Sequence, residues 1–121
     1  MKLVNAIIER VSFGWDEYGV PTMGIALKTE GGGSVVFGGR ILLSKDAPYR
    51  KKRRGLEVAE CYIRRVMKIA GVKEFGKLNG SPCRVIFKGD GQLGDRIIGI
   101  QEFLGEDRFI PEYDFDEPAN P

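Results

Sequence analysis

The chain has 121 residues, 42% hydrophobic and 30% charged, with a net charge of +2 and no histidine; that length fits one globular domain with a modest core. No stretch approaches the ~18 apolar residues of a membrane-spanning helix, and the opening MKLVNAIIER lacks the pattern of an export signal, so a cytosolic protein with Cys61 and Cys83 reduced is expected. Imidazole is the usual general base near neutral pH and the commonest metal ligand, so its absence removes Ser-His triads, zincins, zinc fingers and most zinc hydrolases together; the small net charge argues against a dedicated nucleic-acid binder.

Residues 2–13 are rich in Leu, Val and Ile and predict a first strand, followed by a turn through residues 14–19. From Met23 to Thr29 the pattern alternates, with Met23, Ile25 and Leu27 on one face and Gly24, Ala26 and Lys28 on the other, which predicts a half-buried strand. Glycines 31–33 permit a tight reversal into residues 34–37, giving an antiparallel meander. Gly38 and Gly39 then interrupt a run that would otherwise continue to Leu43. They mark either a bulge that twists the sheet or backbone left bare for a close approach.

Residues 44–54, SKDAPYRKKRR, set Lys45, Arg50, Lys51, Lys52, Arg53 and Arg54 against Asp46, with Pro48 against any helix, and predict a mobile basic loop. The main helix covers 55–71, running from Leu56 to Ala70 with Gly71 as its C-terminal cap. Leu56, Ala59, Ile63, Val66, Met67 and Ala70 share one stripe, which Val58, Tyr62 and Ile69 widen to about half the circumference; a single core contact needs ~100°. The surplus either covers more of the protein's own sheet or meets a second subunit. Asn79-Gly80 predicts a turn before Cys83 to Lys88, where Cys83, Val85 and Phe87 alternate with Arg84, Ile86 and Lys88; with residues 96–104 this reads as a C-terminal hairpin. Residues 112–121 form an acidic tail. The expected whole is one α+β domain over 1–121, an antiparallel sheet with one main helix.

Gly89, Gly91 and Gly94 in GDGQLG match the letters of the dinucleotide fingerprint but lie between two predicted strands, whereas the fingerprint needs a strand, a turn and a helix. A hairpin tip is the plainer reading, and Lys88, Gln92 and Arg96 around it supply donors for a pocket. The basic loop is open to solvated charge, nucleic-acid phosphate or a small anionic ligand, for which a few well-aimed Arg and Lys side chains suffice. Arg108 and Phe109, like the cluster Phe13, Trp15 and Tyr18, either cap the core or stack a purine. Glu57, Glu60, Glu102, Glu106 and Asp107 show no spacing that demands acid-base work, and exposed, solvated carboxylates are the plainer reading.

The order of FGWDEYGVPTMGIAL, GGGSVVFGGRIL, then GVKEFGKLNGSPCRV after the helix and IIGIQEFLGEDRFIPE is similar to a pattern of small bacteriophage proteins. In that pattern a turn with acidic residues precedes a strand, a Phe-Gly-Gly segment ends a glycine-rich strand, and an acidic-aromatic-Pro segment closes the domain. Outside the basic loop and the acidic tail the chain resembles the phage anti-Thoeris sponges, the first type of Thoeris anti-defence protein. The resemblance implies an oligomer, a homodimer or a higher assembly such as a hexamer, in the cytoplasm of an infected bacterium. Such a protein holds cyclic ADP-ribose-type signals made by a TIR-domain enzyme, and in some members cyclic oligonucleotides, without cleaving them and without a cofactor.

On that reading, the backbone of Phe37, Gly38 and Gly39 meets a ligand or a neighbouring chain, Arg40 adds charge, and Arg108, Phe109, Gln92, Arg54 and Lys28 are the remaining ligand candidates together with Lys88 and Arg96. Two rivals are open: a phage inhibitor that grips a host protein or nucleic acid through residues 50–54, and a phosphodiesterase that uses carboxylates with a divalent metal.

Overall fold

Alternating hydrophobic residues place most of this chain in one antiparallel sheet. The computed structural model describes residues 1–15, 17, 21–40, 55–89 and 96–111; the predicted basic loop, the tip of the hairpin and the acidic tail lie outside the described residues, as do Arg54 and Gln92. The elements are β1 (Lys2–Trp15), β2 (Pro21–Thr29), β3 (Ser34–Arg40), α1 (Gly55–Ala70), β4 (Pro82–Phe87), β5 (Ile97–Gln101) and β6 (Arg108–Phe109), with a 3-10 turn at Phe75–Leu78 before β4. Strand order is β3-β2-β1-β4-β5-β6, and every neighbouring pair is antiparallel. Two meanders, β1 to β3 and β4 to β6, are therefore joined by the pairing of β1 with β4. The sheet curls far enough that β3 comes against β5.

One face of the sheet carries the core. Met23, Ile25 and Leu27 are fully buried, as their alternation predicts, beside Ile8, Val85, Ile100 and Phe109. Each such side chain contributes roughly 1.5–3 kcal/mol of burial. The second half of β1 keeps its apolar residues on the side of Ala6 and Ile8 because the strand contains a bulge. Ile8 pairs with Leu27 and Arg10 with Ala26, so Glu9 is an extra residue; from there Val11 and Phe13 share the side of Ile8, while Arg10 and Ser12 take the other. The Asn79-Gly80 turn is bound to the same spot. Gly80 N–H donates to the Ile8 carbonyl (2.6 Å), and Ile8 N–H donates to the Ser81 carbonyl (2.9 Å).

The helix ends as predicted. Gly71 takes φ +73°, its N–H donates to the Lys68 carbonyl (3.1 Å), and Val72 N–H donates to the Met67 carbonyl (3.0 Å), which satisfies the last turn. The buried stripe differs from the expectation in its centre. Tyr62, Val66 and Ile69 are buried, while Ile63, Met67 and Ala70 lie half-buried beside them. Tyr62, read from sequence as widening the stripe, is its middle: its ring meets Phe109 edge-on (4.9 Å between centroids) and stacks on Phe37 (6.2 Å). The flanking residues pack on the same sheet, so much of the surplus face is used within the chain.

The C-terminal hairpin is present as β4 and β5, and β6 extends it to a third strand. Ile86 shares the face of Arg84, as the alternation predicts, yet it is fully buried there, in a small cluster with Ile98, Ile110 and Leu3 on the side of the sheet away from α1. Residues 89–94 connect β4 to β5, a strand-to-strand context that removes the dinucleotide fingerprint. Among the described residues no helix is long and apolar enough to cross a membrane. Cys61 and Cys83 are both free thiols, and burial pushes that of Cys83 up to about 12.

Candidate functional site

The sheet face turned away from α1 is crossed by a polar row. Strand pairing sets Asn5 beside Arg84, Arg84 beside Gln101 and Gln101 beside Arg108. Arg84 and Arg108 thus flank Gln101, two strands apart, an arrangement that period-two alternation in β4 and β5 produces. The loop that follows β5 folds down onto this row. Arg84 donates from Nε to the Glu102 carbonyl (3.0 Å) and from Nη2 to the Gly105 carbonyl, which also accepts from Gln101 Nε2 (3.1 Å). Inside the loop, Glu102 N–H donates to the Asp107 carbonyl (2.9 Å), and Asp107 N–H donates to Glu102 Oε1 (3.1 Å). A Cβ at Gly105 would displace the Glu102 carboxylate from its place beside the loop.

From the helix side, Arg65 closes the same corner. Its guanidinium grips Asp107 with two hydrogen bonds (3.3 and 3.1 Å), donates to the Arg108 carbonyl (2.7 Å) and lies 6.0 Å from the Phe109 ring centroid. That hydrogen bond, reinforced by the charges of Arg65 and Lys68, holds the Asp107 carboxyl below its usual range despite partial desolvation. The backbone of Arg108 is therefore fixed from both sides. Its side chain is exposed and has no hydrogen-bond or ion-pair partner among the described residues. Gln101 is 3% exposed, and its Oε1 is buried with no donor among those residues.

The other residues named from sequence do not gather around Arg108. Lys28 is exposed on β2, four strands away, roughly 19 Å along the sheet at ~4.8 Å per strand. Lys88 and Arg96 are exposed together where Lys88 N–H donates to the Arg96 carbonyl (2.9 Å). Arg40 pairs with Thr22 and through it with Gly14, while the Lys88 end lies by Lys2; twelve residues of β1, roughly 40 Å, separate them.

Of the two readings open for Phe109, its burial decides for the core: it is fully buried and its ring packs on Tyr62, so it has no face to offer a purine. Phe37 is 6% exposed and its ring also stacks on Tyr62. Gly38 has a different use from the one expected. At φ +120° a Cβ would run into the Met23 carbonyl of β2, so the bare backbone admits the neighbouring strand. Gly39 pairs with Met23 in the same ladder.

Sequence reading missed Arg65, Arg84 and Gln101. Arg84 was visible as a polar position in an alternating strand, but nothing local tells that its carbonyl partners lie 18 and 21 residues on.

An apolar groove lies on the same open face. It has a volume of about 490 Å³, a floor that includes Ile7, Pro82 and Phe103, and a rim of Lys28, Glu9 and Glu30. Two carboxylates against one ammonium make this rim a poor seat for a pyrophosphate. Among the described residues no group of three or more Cys, Asp or Glu side chains is placed to hold a metal ion. No protein-family model matches the chain, and no curated protein matches it.

Proposed function

We propose that this protein is a non-enzymatic binder that captures a cyclic ADP-ribose-type nucleotide between copies of itself, as the phage anti-Thoeris sponges it resembles do, and so silences a TIR-dependent alarm in the infected cell. Arg108 carries this reading. An arginine whose backbone is locked by Arg65 and by the loop 102–107, while its guanidinium faces solvent without a carboxylate, is prepared to meet an anion with little loss of freedom. The placing of Lys28, Lys88 and Arg108 on different parts of the sheet supports a shared site. A compact dianion needs donors within a few ångströms, and two chains can bring together donors that one chain holds apart.

The test is to mix protein with the nucleotide, heat-denature the protein and analyse the released material by mass spectrometry. Intact nucleotide in stoichiometric amount is expected. Fragments would identify a phosphodiesterase, and no captured nucleotide at all would end the reading. In calorimetry, Arg108→Ala is expected to weaken capture by about 1–3 kcal/mol, the scale of a lost charge-assisted hydrogen bond.

A further inference from the structure

The loop after β5 and the start of β4 raise an apolar ridge. Phe103, 37% exposed, and the exposed Pro82 line two hollows at once. One is the groove of about 490 Å³ over Ile7, itself 50% exposed. The other, about 400 Å³, runs to Leu104, 92% exposed, and to Ile69 and Ala70, the last residues of α1. A lone exposed leucine carries little meaning, but a ridge between two apolar hollows is a contiguous patch of the kind that marks a binding surface. The ridge is also held in place. Pro82 pairs with Ile7 in the sheet, and the carbonyls of Glu102, Gly105 and Asp107 all accept hydrogen bonds, so Phe103 stands on a fixed loop.

Charge decides what fits this surface. Among the described residues that line the two hollows, Glu9, Glu30 and Glu102 stand against Lys28, and Asn5 Nδ2 orients the Glu30 carboxylate at the groove rim (3.0 Å). The exposed Glu106 follows in the same loop, and the second hollow adjoins the C-terminal end of α1, which is negative by the sum of its peptide dipoles. We propose that this surface docks a short basic and apolar segment of a different protein. Two apolar side chains enter the hollows on either side of the Pro82–Phe103 ridge, and Lys or Arg residues beside them meet Glu9, Glu30 and Glu102. The same carboxylates disfavour a nucleic acid or an anionic lipid surface. This does not rest on nucleotide capture, since Arg108 lines neither hollow.

The experiment is selection of a random peptide library, displayed on phage, against the immobilised full chain, followed by fluorescence polarisation with the enriched peptides made synthetically. Sequences with two apolar residues flanked by Lys or Arg are expected, and their affinity should fall about tenfold between roughly 50 and 300 mM salt. Leu104→Ser and Phe103→Ala are each expected to raise the dissociation constant about tenfold, and Glu9→Gln with Glu30→Gln about fivefold with a shallower salt dependence. Leu104 is almost wholly exposed, so its variant keeps the fold; an unchanged circular dichroism spectrum checks the others. Enriched peptides that are acidic or uncharged, affinities indifferent to Leu104→Ser and Phe103→Ala, or no enrichment above an unrelated protein would each overturn the proposal. So would a second copy seated on the ridge, visible as self-association that Leu104→Ser abolishes. Nucleotide release is a separate readout, so failure here leaves the capture reading standing.

Discussion

Gly38 shows how far one residue can be read without its neighbours. Its sequence context allows two uses, a strand irregularity or a bare approach for a ligand, and the deciding atom is the Met23 carbonyl on the adjacent strand. Gly38→Ala combines a positive φ with a clash against backbone that cannot swing away, so a loss of roughly 2–3 kcal/mol is expected in urea unfolding. Gly14→Ala, where a Cβ meets nothing, is the control and should cost under about 1 kcal/mol. The cysteines follow the same logic of surroundings. Cys83 is fully buried with its thiol pushed up to about 12, so a thiol reagent at pH 8 should modify the half-buried Cys61 first and reach Cys83 only at the rate of unfolding. Equal rates for the two thiols in the folded protein would contradict this packing.

At the scale of elements, β2, the 31–33 reversal and the end of α1 were legible because their signals are local. Thr29 N–H and Oγ1 both donate to the Gly33 carbonyl (2.7 and 3.0 Å), and Gly31 and Gly32 take positive φ, so the turn is complete within five residues. β1 was legible only as a strand. In IIERVSF, strict alternation from Ile8 would bury Arg10 and Ser12, and the bulge at Glu9 that restores Val11 to the core is set by pairing with β2. The loop 102–107 was not legible, since Arg84 and Arg65 come from other elements. Its acid sensitivity tests the assignment. The Asp107 carboxyl titrates below its ordinary 3.8 in the folded chain, so its stabilisation is complete above that value and disappears as pH falls through the lower folded value. Asp107→Asn should therefore cost about 1 kcal/mol at pH 7, a modest figure because the pair is partly solvated, and should flatten the stability profile below pH ~4. A profile that keeps its slope in that variant would assign the acid response to other carboxylates.

At the scale of the whole molecule, the sequence carried the class of fold and little of the site. Hydrophobic alternation and glycine punctuation describe each strand, but strand order decides which donors become neighbours, and it sets Arg108 beside Gln101 and Arg84 while leaving Lys28 four strands away. A ligand site assembled between copies then links capture to association. If the nucleotide is held by two chains, it binds the dimer and not the monomer, so each equilibrium must shift the other by the same factor. Binding should fill one or two sites per dimer. Its apparent affinity should fall when the protein is diluted below its dimer dissociation constant. Arg108→Ala should weaken capture by the same factor at every protein concentration and leave any association of copies unchanged. Titrations over a hundredfold range of protein concentration, with mass measured in parallel, decide between this coupling and a pocket complete within one chain, for which affinity would not depend on protein concentration at all.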